Sequence, residues 1–196
     1  MNRASRFERV TKETAISVEV RLDGRGTARV STGIGFFDHM LELLAKHSGI
    51  DLTVEASGDL RVDEHHTVED VGLTLGEALS QALGERRGIR RYGFLLPMDE
   101  SLAQVAIDLG GRPYLVFDAN FQREVVGELP TELVEDFFKA MSDSLGANIH
   151  VTLHYGRNDH HKIEAIFKAF ARALRTAIEA DPRFKDEVPS TKGVIG

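Results

Sequence analysis

The chain carries one order of motifs twice. An offset of 87 residues superimposes Glu13-Thr14 on Glu100-Ser101, Val18 on Val105, Val20 on Ile107, Leu22 on Leu109 and Gly24-Arg25 on Gly111-Arg112. An offset of 95 superimposes His65-His66-Thr67-Val68-Glu69 on His160-His161-Lys162-Ile163-Glu164. The longer offset calls for about eight extra residues in the second copy, and the segment from Tyr114 to Glu132 has room for them. A duplication at this scale restricts the fold, because each copy must form the same small unit and bury its apolar face against the other.

Within each copy the apolar spacing defines the unit. Ile16, Val18, Val20 and Leu22 alternate with Ser17, Glu19 and Arg21, the period of a half-buried strand, and Asp23-Gly24 supplies a turn into a second strand, Thr27 to Ser31, as a hairpin. Phe37, Met40, Leu41 and Leu44 repeat at helical spacing over Phe37 to His47, ending at Gly49. Strands are expected at Leu52 to Ala56 and Asp59 to Val62, followed by a long helix bearing Val68, Val71, Leu75, Ala78, Leu79 and Ala82 on one face. Thr67 and Asp70 at its entry have the spacing of a capping box. In the second copy Leu133–Leu145 matches the short helix, which sets His39 near the counterpart of Asp136. The fold class expected is α+β, an internally duplicated β-sheet-plus-two-helices unit with two halves packed as one domain over residues 1–196, the repeats running from about 10 to 95 and from 96 to 181.

Four of the eight histidines fall in the two copies of one pattern, Glu64-His65-His66-x-x-Glu69 and Asp159-His160-His161-x-x-Glu164. Neighbouring helical residues diverge by about 100°, whereas residues three or four apart share a face. Each Glu therefore joins one His while the other His points elsewhere, which favours two metal sites over one. The chain has no cysteine, so any metal is held by imidazole and carboxylate, a donor set that suits Mn, Fe, Co, Ni or Zn, with six-coordinate Mn comfortable. A single helix-entry His is more often a surface or capping residue; the repeated Glu offset argues for ligation. His150 and His154, on a strand-like segment from Ile149 to Tyr155, read as packing residues, and His47 at a helix end reads either as a dipole partner or as a ligand contact.

Composition narrows the partners. With 24 Lys and Arg against 31 Asp and Glu, the net charge is -7, and no basic block is present, so nucleic acid is not expected. No apolar run is long enough for a membrane span, and the charged opening from Met1 to Thr14 lacks a signal peptide's apolar stretch, so the expected location is cytoplasmic. A local cationic pocket for a small anion is compatible with this balance.

Taken in order, Thr11-Lys12-Glu13-Thr14, Gly35-Phe36-Phe37-Asp38-His39-Met40, His65-His66-Thr67-Val68-Glu69-Asp70, Gly88-Ile89-Arg90-Arg91-Tyr92-Gly93, Gly111-Arg112-Pro113-Tyr114, Asn158-Asp159-His160-His161 and Ser190-Thr191-Lys192-Gly193 resemble imidazoleglycerol-phosphate dehydratase, a lyase of histidine biosynthesis. The resemblance runs from about Arg9 to Gly193. It implies two Mn(II) ions per active site, dehydration of imidazoleglycerol phosphate to imidazole-acetol phosphate, and self-association into a 24-mer with active sites at subunit contacts. It implies metal ligation by His39, His65, His66, Glu69, His160, His161 and Glu164; at the eighth position, where some relatives have His, Asp136 either coordinates directly, acts through water or leaves the place to solvent. It places Glu13 in an acid/base role, although the bare sequence would make it a surface acid. Glu69 and Glu164 have the same proton-transfer chemistry if not locked on an ion. Phosphate recognition falls to Arg91, Arg112, Ser190, Thr191 and Lys192, with Lys168 and His47 as further substrate contacts. The implied chemistry is coherent, since the proton lost has no adjacent carbonyl, and a cation that draws the substrate imidazole towards imidazolate supplies the electrons that expel the neighbouring hydroxyl.

Two rivals share the histidine pattern: a protein whose His clusters only hold an oligomer together, and a dinuclear metallophosphatase. Arg112 and Lys192 weigh against the first, and the lack of Asp-rich strand-end motifs weighs against the second.

Overall fold

A computed structural model describes residues 3–93, 96–183 and 187–195. The first half forms β1 (Ala4–Val10), β2 (Thr14–Arg21), β3 (Ala28–Ser31), α1 (Gly35–Ser48), β4 (Asp51–Gly58) and α2 (His65–Leu83). The second forms β5 (Tyr92–Gly93), β6 (Leu96–Met98), β7 (Ser101–Asp108), β8 (Tyr114–Asp118), a small hairpin β9 (Val125–Val126) and β10 (Leu129–Pro130), α3 (Leu133–Leu145), β11 (Asn148–Tyr155) and α4 (Asp159–Ile178). The extra residues of the second half are accordingly the β9–β10 hairpin and its flanks.

Both sheets have one plan. The first runs β1-β2-β4-β3, antiparallel except for the parallel pair β3–β4. The second runs β5-β7-β11-β8, with β6 also on β7 and β8–β11 parallel. The expected hairpin between β2 and β3 does not form. Asp51 explains this: its carboxylate accepts hydrogen bonds from the backbone N–H of Arg25 (2.8 Å) and Thr27 (3.0 Å) and from the Thr27 hydroxyl (2.6 Å), so the loop is pinned beside the start of β4 and β3 emerges on the far side of that strand. The segment from Asp59 to Val62 is a turn rather than a strand.

The helices fill the space between the sheets and pair across the halves. In the first half α2 covers β1 and β2, and in the second α4 covers β7; α2 then packs on α3, and α1 on α4. Phe37, Phe137, Phe138, Phe167 and Phe170 are fully buried there. Two glycines set how close α2 and α3 come. A Cβ on Gly72 would lie 2.8 Å from the Phe137 carbonyl oxygen, and one on Gly76 would lie 2.9 Å from that of Met141.

Gly72→Ala is therefore expected to destabilise the protein by about 1–3 kcal/mol through overpacking, despite the better helix propensity of alanine, as read by urea denaturation. Asp51 gives a second prediction. The Thr27 hydroxyl, then the Arg25 amide and Arg21, hold its carboxyl well below the usual range, so its contribution is present above the unfolded-state value near pH ~4 and fades as pH falls below it. Asp51→Asn should cost about 1–2 kcal/mol at pH 7, with the difference from the unaltered chain narrowing in unfolding curves taken at progressively lower pH below ~4.

Candidate metal centre

Cross-packing of the helices determines which side chains meet. His39, on the second turn of α1, faces the first turns of α4, where His160 and Glu164 lie one turn apart on the same side. His39 Nε2 is 3.0 Å from Glu164 Oε1, and His160 Nε2 is 3.9 Å from the same oxygen. One donor atom from each of the three lies within 4.8 Å of the others. Burial works against the charge on Glu164, but the His39 hydrogen bond and the Lys168 ammonium outweigh it and hold the carboxyl below its ordinary value. Two imidazoles and an ionised carboxylate at this spacing fit a divalent cation of the borderline or harder kind.

The mirror arrangement exists on α2 and α3. His65 Nδ1 is 3.6 Å from Asp136 Oδ2, and Glu69 follows His65 by one helical turn. Asp136 thus occupies the place across from α2 that His39 occupies across from α4. This group is looser, and among the described residues only His39, His160 and Glu164 form a closed trio of donors.

The adjacent histidines diverge as helical geometry requires, with the His65–His66 and His160–His161 rings nearly perpendicular at 78° and 86°. His66 Nδ1 lies 3.1 Å from both Asp59 oxygens, and its Nε2 lies 3.8 Å from Glu13 Oε2. His161 Nδ1 lies 2.8 Å from Glu100 Oε2. These contacts raise the pKa of both imidazoles, and the His161 contact with the Asn158 amide lowers Glu100 to about 2. Glu13 sits on a tight turn in which the Thr11 hydroxyl accepts from the N–H of Glu13 (3.1 Å) and of Thr14 (2.9 Å), so the side chain stands proud of β2 and is 56% exposed.

The capping box at the entry of α2 is absent. Thr67 is buried with its hydroxyl unpartnered, and Asp70 turns instead to Arg9 (2.7 Å) and the Thr14 hydroxyl. His150 and His154 are exposed on the outer face of β11 rather than packed inside, with His154 Nε2 3.1 Å from Gln104.

The cationic residues gather in two places. A cavity of about 340 Å³ is lined by Arg91, Arg112, Ser190, Thr191 and Lys192, bringing together distant parts of the sequence. Arg91 grips Asp108 side-on and donates to the Pro189 carbonyl at 3.0 Å, which ties the C-terminal segment to the end of β7. Lys168 and His47 do not line this cavity. Lys168 donates to Glu164 (3.4 Å), and His47, near Lys168 and Arg172, has its pKa lowered by burial first and by those cations second. Sequence reasoning missed Asp59, Glu100 and Asp108; of these Glu100 had a signal, since it is the repeat counterpart of Glu13.

The family model described as imidazoleglycerol-phosphate dehydratase matches residues 32–174. The chain belongs to this family. It is 57% identical over 195 residues to the imidazoleglycerol-phosphate dehydratase of Rhodopseudomonas palustris, covering 99% of each chain. It is 58% identical over 193 residues to the histidine biosynthesis bifunctional protein HisB of Spirosoma linguale, covering 98% of this chain and about half the length, 50%, of that relative. Among solved structures, the family member from Staphylococcus aureus superposes with a TM-score of 0.79 at 42% identity, covering 90% of this chain and 99% of that one. The Pyrococcus furiosus enzyme, solved in complex with (S)-C348, gives 0.82 at 37%, covering 96% and 99%. Among the described residues no helix is long and apolar enough to cross a membrane.

If the trio binds a divalent ion, His39→Ala and His160→Ala should each weaken metal retention about tenfold or more after chelation and refilling, as measured by elemental analysis, whereas His150→Ala should leave it unchanged.

Proposed function

We propose that the protein is a manganese-dependent dehydratase that converts imidazoleglycerol phosphate to imidazole-acetol phosphate and water in histidine biosynthesis, in the cytoplasm. The observation that carries this reading is the His39–His160–Glu164 trio with its mirror group at His65, Glu69 and Asp136, set in a chain of this family. Two Mn(II) ions would be held by these groups, with His66 and His161, which are turned away from them, reaching the groups of adjoining chains in a 24-mer whose active sites lie at subunit contacts. Bound there, manganese would supply a Lewis acid that polarises the substrate imidazole.

The remaining tasks fall to side chains of the protein. Arg112, Lys192 and the Ser190 and Thr191 hydroxyls line the cavity that receives the phosphate, and Asp108 fixes Arg91 at its wall so that the C-terminal segment stays in place. Glu13, exposed at the tip of its turn, moves the proton at the glycerol chain of the substrate. Glu164, tied to His39 and Lys168, is a ligand rather than a free base, and Glu69 has the same place in the mirror group.

Assay of ketone formation from imidazoleglycerol phosphate, with chelator and with restored Mn(II), tests the reading directly. Glu13→Gln should keep metal and substrate affinity while losing turnover by about a hundredfold or more. Lys192→Ala should raise KM, at a cost of roughly 1.5–3 kcal/mol for a charge-assisted contact, with turnover less affected. Near-normal turnover in an assembled Glu13→Gln protein would remove Glu13 from the mechanism.

A further inference from the structure

The two outward histidines, His66 and His161, are equivalent by sequence but are held by different carboxylates. In the second repeat Glu100, just before β7, accepts from His161 Nδ1 at 2.8 Å, while its other oxygen accepts from the Asn158 amide at 2.9 Å. The repeat counterpart of Glu100 in the first half is Glu13, yet Glu13 does not bond Nδ1 of His66. That edge is held by Asp59, just beyond the end of β4, and Glu13 faces the opposite edge, 3.8 Å from Nε2. Beyond the end of β11 Gly156 matches Gly58, and the residue corresponding to Asp59 is Arg157, a cation that cannot accept a hydrogen bond from an imidazole.

A carboxylate only accepts hydrogen bonds, so a neutral imidazole bound to it through Nδ1 carries its one ring proton there and presents a bare Nε2 lone pair. Among the described residues His161 makes no other side-chain hydrogen bond than the one to Glu100. Both histidines are about one-third exposed, at 33% and 30%, so the fold leaves each reachable from outside. We propose that Asp59 and Glu100 are positioning residues for metal binding: each fixes the Nδ1–H form and the ring orientation of its histidine and so presents Nε2 as the donor. The inference rests on the metal reading above. It also explains how the repeats diverged, since a clamp supplied by Asp59 leaves Glu13 unclamped at the Nε2 edge, where its counterpart Glu100 cannot be.

The test uses the full chain stripped by chelator. Titration with Mn(II), following the free-ion electron paramagnetic resonance signal, compares the unaltered chain with Asp59→Ala, Glu100→Ala and Glu19→Gln, a change of an exposed acid on β2. Nitrogen-15 spectra of histidine-labelled metal-free protein read the tautomer, which a merely structural role would not move. The expected result is Mn(II) affinity weaker by about 10- to 100-fold in both alanine variants, unchanged in Glu19→Gln, and loss of the Nδ1–H form at the histidine whose clamp is removed. Because Glu100 also holds loop amides, Asp59→Ala carries the test alone if Glu100→Ala fails to fold. Alanine variants with affinities within twofold of an unaltered chain that binds Mn(II) would overturn this inference alone. An unaltered chain that binds no Mn(II) would overturn the metal reading and this inference with it.

Discussion

The close crossing of helices between the two halves is the constraint on which the site depends. Neither repeat alone contains a complete donor group: His39 comes from one half and His160 and Glu164 from the other, and the mirror group divides the same way. Gly72 and Gly76 let the backbones approach, and the packed phenylalanines leave little freedom to slide. Arg86 fastens the joint from the end of α2, where its buried guanidinium donates to the carbonyls of Leu109 (3.3 Å) and Gly146 (3.2 Å) and to that of Leu145. A guanidinium at the C-terminal end of α3 also answers the partial negative charge of that helix.

Duplication gives the site its near-twofold plan, and local substitutions break it. The first copy contributes His39 opposite α4, whereas the second contributes Asp136 opposite α2, so one donor group holds two imidazoles and a carboxylate and the other one imidazole and two carboxylates. The closed trio is drawn together by a direct His39–Glu164 hydrogen bond, supported by Lys168; the mirror group has no equivalent of that lysine contact among the described residues. Two acids that align in sequence, Glu13 and Glu100, have likewise taken different work: one is exposed on a turn, and the other is engaged by the Arg157 and Asn158 amides of the loop before α4 and by His161 in the first turn of that helix.

Much of this was legible in the sequence, for identifiable reasons. Period-2 alternation marked β2, the repeat carried it to β7, and matching the short helix of the first copy located the helix at Leu133–Leu145. Divergence of adjacent helical side chains was enough to separate His65 from His66 and His160 from His161. What failed were features set by long-range contact. The β2–β3 hairpin signal was local, whereas the route of β3 is decided by Asp51, 24 residues beyond Thr27. Thr67 had the spacing of a cap, but tertiary packing buried it and sent Asp70 to Thr14 and Arg9. Asp59 and Asp108 gave no local signal, because each matters only through a partner that folding brings to it. The cavity formed by Arg91, Arg112 and Lys192 was reachable only through the resemblance, since those residues come from separate parts of the chain.

The account stands on helices from opposite halves presenting their donors to a shared ion. Anomalous diffraction at the manganese edge, from crystals of the full chain grown with Mn(II), measures this without reference to turnover. The account predicts one peak within bonding reach of His39, His160 and Glu164 and a second beside His65 and Asp136. Manganese bound elsewhere, with no peak at either group, would contradict it.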